Sequence, residues 1–139
     1  VLVLQAEVAD RMLAAPGGRT YGRLSLLARY WWDAARLFPV PRSAFFPQPE
    51  VESACLRLLP WKTPPVAVDD EPFLFEVIKA AFGQRRKQLV NALATLTGPR
   101  RSRDAAERAL DALKLPRTVR AETLSLEQFA ALANQLRLK

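Results

Sequence analysis

Residues 45–53 read Phe45-Phe46-Pro47-Gln48-Pro49-Glu50-Val51-Glu52-Ser53, and they separate two segments that have the pattern of β-strands. Proline fixes its own φ angle and disfavours the α conformation for the residue before it, so this Pro-x-Pro loop is held in an extended path. An extended loop that carries an aromatic ring at the end of a sheet is suited to stack on a flat ligand such as a base. Packing on the core is an equally good interpretation for either ring taken alone.

The segments around this loop predict an α/β unit. Strands are expected over 34–40 and 51–59, and the second of them alternates apolar and other residues at the period of a strand. The continuous apolar run 1–4 predicts a strand buried on both faces, as in a parallel sheet, which needs further strands beside it. Apolar residues at helical spacing predict two helices, over about 6–15 and 22–32.

A change in composition divides the chain. Eight of the eleven prolines lie between Pro39 and Pro72, and the sequence after them has the pattern of helix. We therefore expect an α/β unit over 1–60, a linker over 61–70 and an all-α lobe over 71–139. The three predicted helices of the lobe span about 72–96, capped by Asp69 or Asp70, 102–113, capped by Ser102, and 126–136, begun by a capping box at Ser125-Leu126-Glu127-Gln128.

The positive charge of the chain is concentrated in one window. The net charge is +7, and residues 85–103 contain six cations and no acid. These cations are Arg85, Arg86, Lys87, Arg100, Arg101 and Arg103. A focused basic patch indicates nucleic acid first and an acidic membrane surface second, with a merely solvated face as the alternative. Arg86 and Lys87 point away from the apolar stripe of the predicted helix and are expected to contact phosphate. Arg85 lies on the stripe, where a charge has to be paired, so we expect it either to form an internal ion pair, the favoured interpretation, or to point into an interface with RNA.

Several kinds of chemistry are excluded by composition. The chain has no histidine, which removes Ser-His and Cys-His catalysis and the usual zinc sites. Its five glycines show neither the spacing of a dinucleotide-binding loop nor that of a P-loop. The single Cys55 falls within a predicted strand and is expected to be a buried structural thiol. No apolar run approaches the length of a membrane span.

The start of the second predicted helix is a further candidate site. Tyr21-Gly22-Arg23-Leu24-Ser25 places Tyr21 and Arg23 where they can reach a substrate at the end of the sheet. A helix start with ordinary packing is the alternative interpretation.

Four segments, taken in order and at their spacing, resemble one family closely. They are Leu4-Gln5-Ala6-Glu7-Val8-Ala9-Asp10-Arg11, Tyr21-Gly22-Arg23-Leu24-Ser25, Pro41-Arg42-Ser43-Ala44-Phe45-Phe46-Pro47-Gln48-Pro49-Glu50-Val51-Glu52-Ser53 and Ala81-Phe82-Gly83-Gln84-Arg85-Arg86-Lys87. Together they resemble the ribosomal RNA adenine dimethyltransferases, bacterial enzymes that dimethylate two adjacent adenosines near the end of the small-subunit rRNA. The resemblance covers essentially the whole chain.

This resemblance implies the C-terminal half of a methyltransferase that uses S-adenosylmethionine (SAM). The expected fold is the end of a Rossmann-like sheet followed by a three-helix lobe that binds rRNA. The family's glycine-rich SAM loop and its Asn-Leu-Pro-Tyr catalytic segment are not present in this sequence, and the resemblance places both upstream of Val1. The chain alone is therefore expected to be inactive. The parent enzyme is expected to be cytoplasmic, monomeric, free of metal and involved in ribosome biogenesis.

The resemblance also assigns roles to single residues. Phe45 matches the family's aromatic residue that packs on a flipped-out adenine. Phe46 stands where the family often has a smaller residue, and core packing is its expected role. The segment Arg85-Arg86-Lys87 matches the family's basic helix, which is inferred to dock the enzyme on the small ribosomal subunit.

Two other functions stay open at this point. One is a related methyltransferase with a different target, either large-subunit rRNA, as in the macrolide-resistance branch, or the role of a mitochondrial transcription-factor homologue. The other is a non-catalytic RNA-binding or ribosome-assembly module.

Overall fold

The chain forms two compact units, Val1–Pro65 and Val66–Lys139. A computed structural model describes residues 1–83, 88–96 and 102–137. The boundary between the units falls within the proline-containing segment 61–70. In the described part of the chain, no helix is long and apolar enough to cross a membrane.

The first unit is built on a three-stranded antiparallel sheet. Its strands are β1 (Leu2–Gln5), β2 (Trp32–Val40) and β3 (Ser53–Pro60), in the order β1-β3-β2. Because β3 runs antiparallel to both neighbours, β1 and β2 run in the same direction on either side of it. The pairing between β2 and β3 shifts register between Arg36 and Phe38, so the strand has a bulge there.

The expectation of a doubly buried parallel strand over 1–4 is wrong for this unit. In β1, the side chains of Leu2 and Val3 are exposed, and the strand pairs antiparallel with β3. A continuous apolar run indicates burial on both faces only where a strand has neighbours on both sides. Within the described unit β1 lies at an edge, which is the reason for the difference.

Two helices cover one face of this sheet. They are α1 (Ala6–Leu13) and α2 (Arg23–Trp31), and they end slightly before the positions expected from the sequence. The core between helices and sheet contains Ala9, Met12, Ala28, Ala54 and Leu56. Residues 54 and 56 come from β3 and alternate with Cys55, the expected period of a strand. Cys55 is buried and free, which confirms it as a structural thiol.

The second unit contains four α-helices among its described residues. They are α3 (Glu71–Gly83), α4 (Leu89–Leu93), α5 (Arg103–Ala112) and α6 (Leu126–Arg137). Their shared core contains large side chains that are fully buried, among them Leu74, Ile78, Leu93, Leu110, Phe129 and Leu132. This all-α unit after an α/β unit is the expected succession.

A single helix over 72–96 is not what the structure shows. Helix α3 ends at Gly83, and Gln88 is extended, with φ −61° and ψ 147°, before α4 begins. The N–H of Leu89 donates to the carbonyl oxygen of Val119 at 2.8 Å, whereas in a continuous helix it would donate to the residue four positions earlier. Leu89 and Leu93 are buried here, and a single continuous helix would bury them as well. The apolar period is therefore the same in both cases, and periodicity alone does not distinguish one helix from two.

The predicted helix caps are confirmed by hydrogen bonds. Asp70 is the residue that caps α3, since its Oδ1 accepts from the N–H of Phe73 at 3.1 Å. At the start of α5, Ser102 Oγ accepts from the N–H of Ala105 at 3.2 Å. The capping box before α6 is reciprocal, with distances of 2.9 and 3.2 Å between Ser125 and Gln128.

Candidate nucleic-acid interface

The loop of residues 41–52, which we call the aromatic loop, joins the C-terminal end of β2 to the start of β3. The pairing of Val40 with Ser53 brings its two ends together. The N–H of Arg42 donates to Glu52 Oε2 at 2.7 Å, and Arg42 Nη1 donates to the carbonyl oxygen of Glu50 at 3.4 Å. The loop is therefore closed at its base by contacts across it.

The two rings of the aromatic loop differ in exposure. Phe45 is 39% exposed, so part of its surface packs on the unit and part faces solvent. Phe46 is fully exposed, which makes the expectation of core packing for this ring wrong in the described unit. The Phe46–Pro47 peptide bond is cis. A ring that is partly covered and partly accessible, such as Phe45, can stack on a flat ligand.

The surroundings of the loop are apolar as well. The exposed large apolar residues include Leu37 and Phe38, near the end of β2, and Val51, just before β3. The end of the sheet that carries the aromatic loop therefore offers an apolar surface.

The structure does not bring Tyr21 to this surface. Tyr21 is fully buried, and the guanidinium carbon of Arg29 lies 6.0 Å from the centre of its ring. The turn is completed by Ser25, whose hydroxyl accepts from the N–H of Gly22 and donates to the carbonyl oxygen of Arg11. The expectation that Tyr21 contacts RNA is corrected to a packing role, because a ring without accessible surface cannot stack.

Arg23 is placed differently from its neighbour. It is the first residue of α2 and is exposed. Its guanidinium is accessible to a phosphate, so Arg23 stays a candidate for RNA contact. The side chain of the first residue of a helix points back beyond the N-terminal end of that helix.

Arg103 is exposed, but its guanidinium already has partners. Its Nε lies 3.2 Å from Glu107 Oε1, and Nη1 donates to Asn91 Oδ1. Glu107 also accepts from Arg117 Nη1 at 3.2 Å. A phosphate that binds Arg103 has to share or displace these acceptors. The other basic candidates, Arg85, Arg86, Lys87, Arg100 and Arg101, lie outside the described residues.

The same network shifts two pKa values. The hydrogen bond from Arg117 to Asp111, 2.6 Å between Nη2 and Oδ2, lowers the pKa of the Asp111 carboxyl below its ordinary value. The reciprocal effect of Asp111 raises the pKa of Arg117. Both groups are charged at neutral pH, and the pair ties the end of α5 to the segment that follows it.

The hydrogen bonds that close the aromatic loop were not predicted from the sequence. Arg42 and Glu52 are ten positions apart and flank a loop whose strand ends pair at Val40 and Ser53. Once a hairpin register is assumed, opposite charges at these positions are neighbours, so this signal was present in the sequence. The full exposure of Phe46 had no such signal, because it depends on the position of the loop tip.

The described residues do not fit a SAM site. A dinucleotide-type fold brings its cofactor close to a glycine-rich turn that directly follows a strand. Gly17 and Gly18 lie in the turn between α1 and α2, Gly22 caps α2, and Gly83 ends α3. None of these glycines in the described part of the chain follows a strand. Three or more metal-ligating side chains do not cluster there either.

Comparison with known proteins identifies the family. Residues 1–137 match the model of the family described as "Ribosomal RNA adenine dimethylase". The chain belongs to this family of rRNA adenine dimethyltransferases. It is 45% identical over 137 residues to "Ribosomal RNA small subunit methyltransferase A" of Geobacillus sp. (strain WCH70), and 44% identical to the protein of that name from Bacillus mycoides (strain KBAB4). Each match covers 98% of this chain and 47% of the relative, so the chain spans about half the length of these relatives.

Solved structures have the same fold. A dimethyladenosine transferase from Plasmodium falciparum superposes with a TM-score of 0.73 at 22% identity, over 94% of this chain and 54% of that one. The 23S rRNA methyltransferase ErmE superposes with a TM-score of 0.65 at 23% identity, over 97% of this chain and 53% of that one. These likenesses establish a partial methyltransferase fold, which agrees with the fold class expected from the sequence.

Proposed function

We propose that this chain is the C-terminal, substrate-binding part of a SAM-dependent enzyme that dimethylates N6 of two adjacent adenosines near the 3′ end of small-subunit rRNA. The observation that carries the proposal is the family match over residues 1–137, at 44–45% identity to small-subunit enzymes. These relatives are named for the small subunit, which favours the small subunit as target. The parent would act in the cytoplasm during ribosome biogenesis.

Phe45 is proposed to hold the target adenine. Stacking of a base on an aromatic side chain contributes about 1–3 kcal/mol. A ring that is already packed on one side loses little entropy when the base arrives, so most of this energy is available for positioning. The contacts of Arg42 with Glu50 and Glu52 restrain the base of the loop that carries this ring.

The basic residues are proposed to hold the rRNA backbone. Arg23 is exposed at the start of α2, and we assign the same role to the cations outside the described residues, Arg85, Arg86, Lys87, Arg100 and Arg101. Arg103 joins them only if phosphate displaces Glu107 or Asn91. Phosphate contacts fix register and supply affinity, whereas the choice of base is left to the pocket around Phe45.

SAM supplies the methyl group in this family, and we propose that the part of the parent that binds it lies outside this chain. The position of the glycines supports this division. The chain itself then contributes the face on which the base is stacked and the surface on which the rRNA docks. The parent is proposed to work as a monomer.

The choice of substrate is tested with the longer protein of which this chain forms part. Isolated small ribosomal subunits and naked large-subunit rRNA are each incubated with enzyme and labelled SAM, and N6,N6-dimethyladenosine is quantified. We expect dimethylation of the small subunit and little of the large-subunit rRNA. The opposite preference would support the related large-subunit activity, and no methylation of either would support a non-catalytic RNA-binding module.

A further inference from the structure

A half-buried arginine without a counter-ion lines a cavity of the first unit. The cavity has a volume of about 250 Å³ and lies between residues of α1, α2 and β2 and Trp61, which follows β3. Trp32 begins β2 and Trp61 follows the last residue of β3, whereas the aromatic loop joins the other ends of these strands. At about 3.3 Å per residue, the two sites are roughly 25 Å apart. We call this site the tryptophan cavity.

Most of the lining of the tryptophan cavity is apolar. Met12 and Ala34 line it together with the indole of Trp32, which packs against the core. Trp61 is 42% exposed, and its Nε1–H donates to the carbonyl oxygen of Arg29 at 2.9 Å, which holds one edge of the ring. The cavity is smaller than the roughly 300–1,000 Å³ of sites for drug-sized ligands, so its aromatic lining suits one small planar ring.

The one cation among the described lining residues is Arg29 of α2. Residues three and four positions apart share a face of a helix, and the residues at those distances before it, Leu26 and Ser25, are fully buried. Arg29 is itself half-buried, and its Nη2 donates to the carbonyl oxygen of Ala14 at 2.8 Å. A charge on the buried side of a helix is costly unless an opposite charge pairs with it.

No carboxylate of the described residues forms an ion pair with Arg29. The acid closest to it along the chain, Asp33, alternates on β2 with Trp32, whose ring packs on the side of the helices, so the Asp33 side chain points to the opposite face of the sheet. Partial compensation comes from the carbonyl oxygen of Ala14 at the end of α1 and from the ring of Tyr21, whose centre lies 6.0 Å from the guanidinium carbon. Neither group carries a full negative charge.

The guanidinium of Arg29 also keeps open donors. Its Nε and Nη1 have no acceptor among the residues that the structure describes. Within that part of the chain, no buried side-chain nitrogen or oxygen lacks a hydrogen-bond partner, so these two nitrogens are accessible to solvent. Because Arg29 lines the tryptophan cavity, a ligand in the cavity can reach them. The planar fork of a guanidinium matches the two oxygens of a carboxylate.

We propose that the tryptophan cavity binds a small aromatic carboxylate. The ring of the ligand stacks on the indole of Trp61, and its carboxylate accepts from the N–H groups of Arg29 that Ala14 leaves open. A phosphate monoester carries a charge of about −1.5 to −2 at neutral pH. A singly charged carboxylate is the better match, because the described lining holds one cation. This site goes beyond the proposed rRNA function and requires neither SAM nor the aromatic loop.

The test is an NMR titration of the longer protein, labelled with ¹⁵N-tryptophan, with indoleacetate and with its neutral amide, indoleacetamide. The indole N–H resonances of Trp32 and Trp61 report on the cavity, and Trp31 is an internal control because it is exposed but does not line the cavity. We expect the resonance of Trp61 to shift and that of Trp31 to change much less. The acid should bind at least about tenfold more tightly than the amide, the size of a hydrogen bond between charged groups.

Substitutions separate the guanidinium fork from general attraction to a basic protein. Arg29→Gln should remove the preference for the acid, and Arg29→Lys should retain part of it, because the charge remains and the fork is lost. Arg57→Gln is the matched control. Arg57 alternates on β3 with Leu56 and Leu58, which pack on the core, so it lies on the opposite face of the sheet. Its substitution changes the net charge equally and should leave the preference intact. Trp61→Ala should abolish binding of both probes.

A free aromatic acid and the C-terminal aromatic residue of a partner chain share this chemistry, and a blocked tripeptide that ends in tryptophan distinguishes them. Tighter binding of the tripeptide acid than of indoleacetate would assign the carboxylate to the end of a partner chain, and the reverse would assign it to a free acid. Equal affinities for indoleacetate and indoleacetamide, no binding of either, equal shifts at Trp31 and Trp61, or a preference unchanged in Arg29→Gln would overturn the proposal. The comparison of acid and amide on the unmodified protein decides even where Arg29→Gln does not fold.

Discussion

At the residue scale, the two neighbouring rings of the aromatic loop differ in how far they are packed against the protein. Phe45 is partly packed and Phe46 is fully exposed. A ring with no supporting contact gains entropy in solvent and loses it on binding, which reduces its net contribution to affinity. The ring that is already supported is therefore the better stacking platform, and the two positions form a natural pair of test and control.

The first prediction concerns this pair in the longer protein. Phe45→Ala should lower kcat for dimethylation of isolated small subunits by a factor between about 5 and 150, which corresponds to the removal of one stacking interaction. Subunit binding should change much less, because affinity comes from phosphate contacts. Phe46→Ala is the matched control and should leave kcat within about twofold of the unmodified enzyme. An unchanged kcat in Phe45→Ala would remove this ring from the site.

At the element scale, α5 is tied to the following segment by charges. Arg117 bridges Asp111 and Glu107, and all three groups lie on or just after α5. The pKa of Asp111 is depressed in the folded chain, so its ionised form stabilises the folded state. That contribution is present above the ordinary pKa of 3.8 and is lost as the pH falls through the lower folded value.

The second prediction follows from that sign. Asp111→Asn should lower the urea midpoint of the chain slightly at about pH 6, and the difference from the unmodified chain should shrink as the pH falls below 3.8 and vanish once the pH is below the lowered pKa of Asp111 in the folded chain. The effect is small because the pair is exposed and screened by solvent. In an Arg117→Gln background, Asp111→Asn should have no further effect. A difference that persists at low pH would mean that Asp111 acts through packing or helix charge.

Local signals explain which elements the sequence predicts. The caps at Ser102 and at Ser125 with Gln128 depend on residues three apart, so they can be read directly from the sequence. The extended conformation of Gln88 is accompanied by the tertiary hydrogen bond from Leu89 to Val119, which no local pattern contains. Similarly, the direction of β1 is set by its partner strand, and a short apolar run carries no information about that partner.

The same difference between local signals and tertiary contacts applies to the candidate site. Phe45 is partly exposed, and its role in stacking stays a prediction. The burial of Tyr21 could not be predicted, because it results from the packing of the turn between α1 and α2. The contact of its ring with Arg29, near the end of α2, contributes to this packing.

At the scale of the whole molecule, the distribution of charge determines affinity. The window 85–103 holds nearly all of the excess positive charge, and most of its cations lie outside the described residues. Arg86→Ala combined with Lys87→Ala should weaken binding of the longer protein to small subunits. The slope of log K against log salt should also fall in magnitude by about one for each phosphate group that is no longer neutralised. An unaltered slope would mean that these side chains face solvent in the complex.

A matched control for the salt dependence is available in α3. Lys79 is an exposed cation of the second unit outside the basic window. Lys79→Ala changes the net charge by the same amount as either single substitution. We expect its effect on the salt slope to be clearly smaller, because a general change in charge acts through long-range attraction and not through release of bound counterions.

The division of labour between this chain and the rest of its parent is tested most directly by isothermal titration calorimetry of SAM into the 139-residue chain. The same chain is checked for cooperative unfolding and for its ability to compete with the longer protein for small ribosomal subunits. We predict competition for subunits together with no measurable SAM binding, while the longer protein binds SAM. Tight SAM binding by these 139 residues alone would contradict the account.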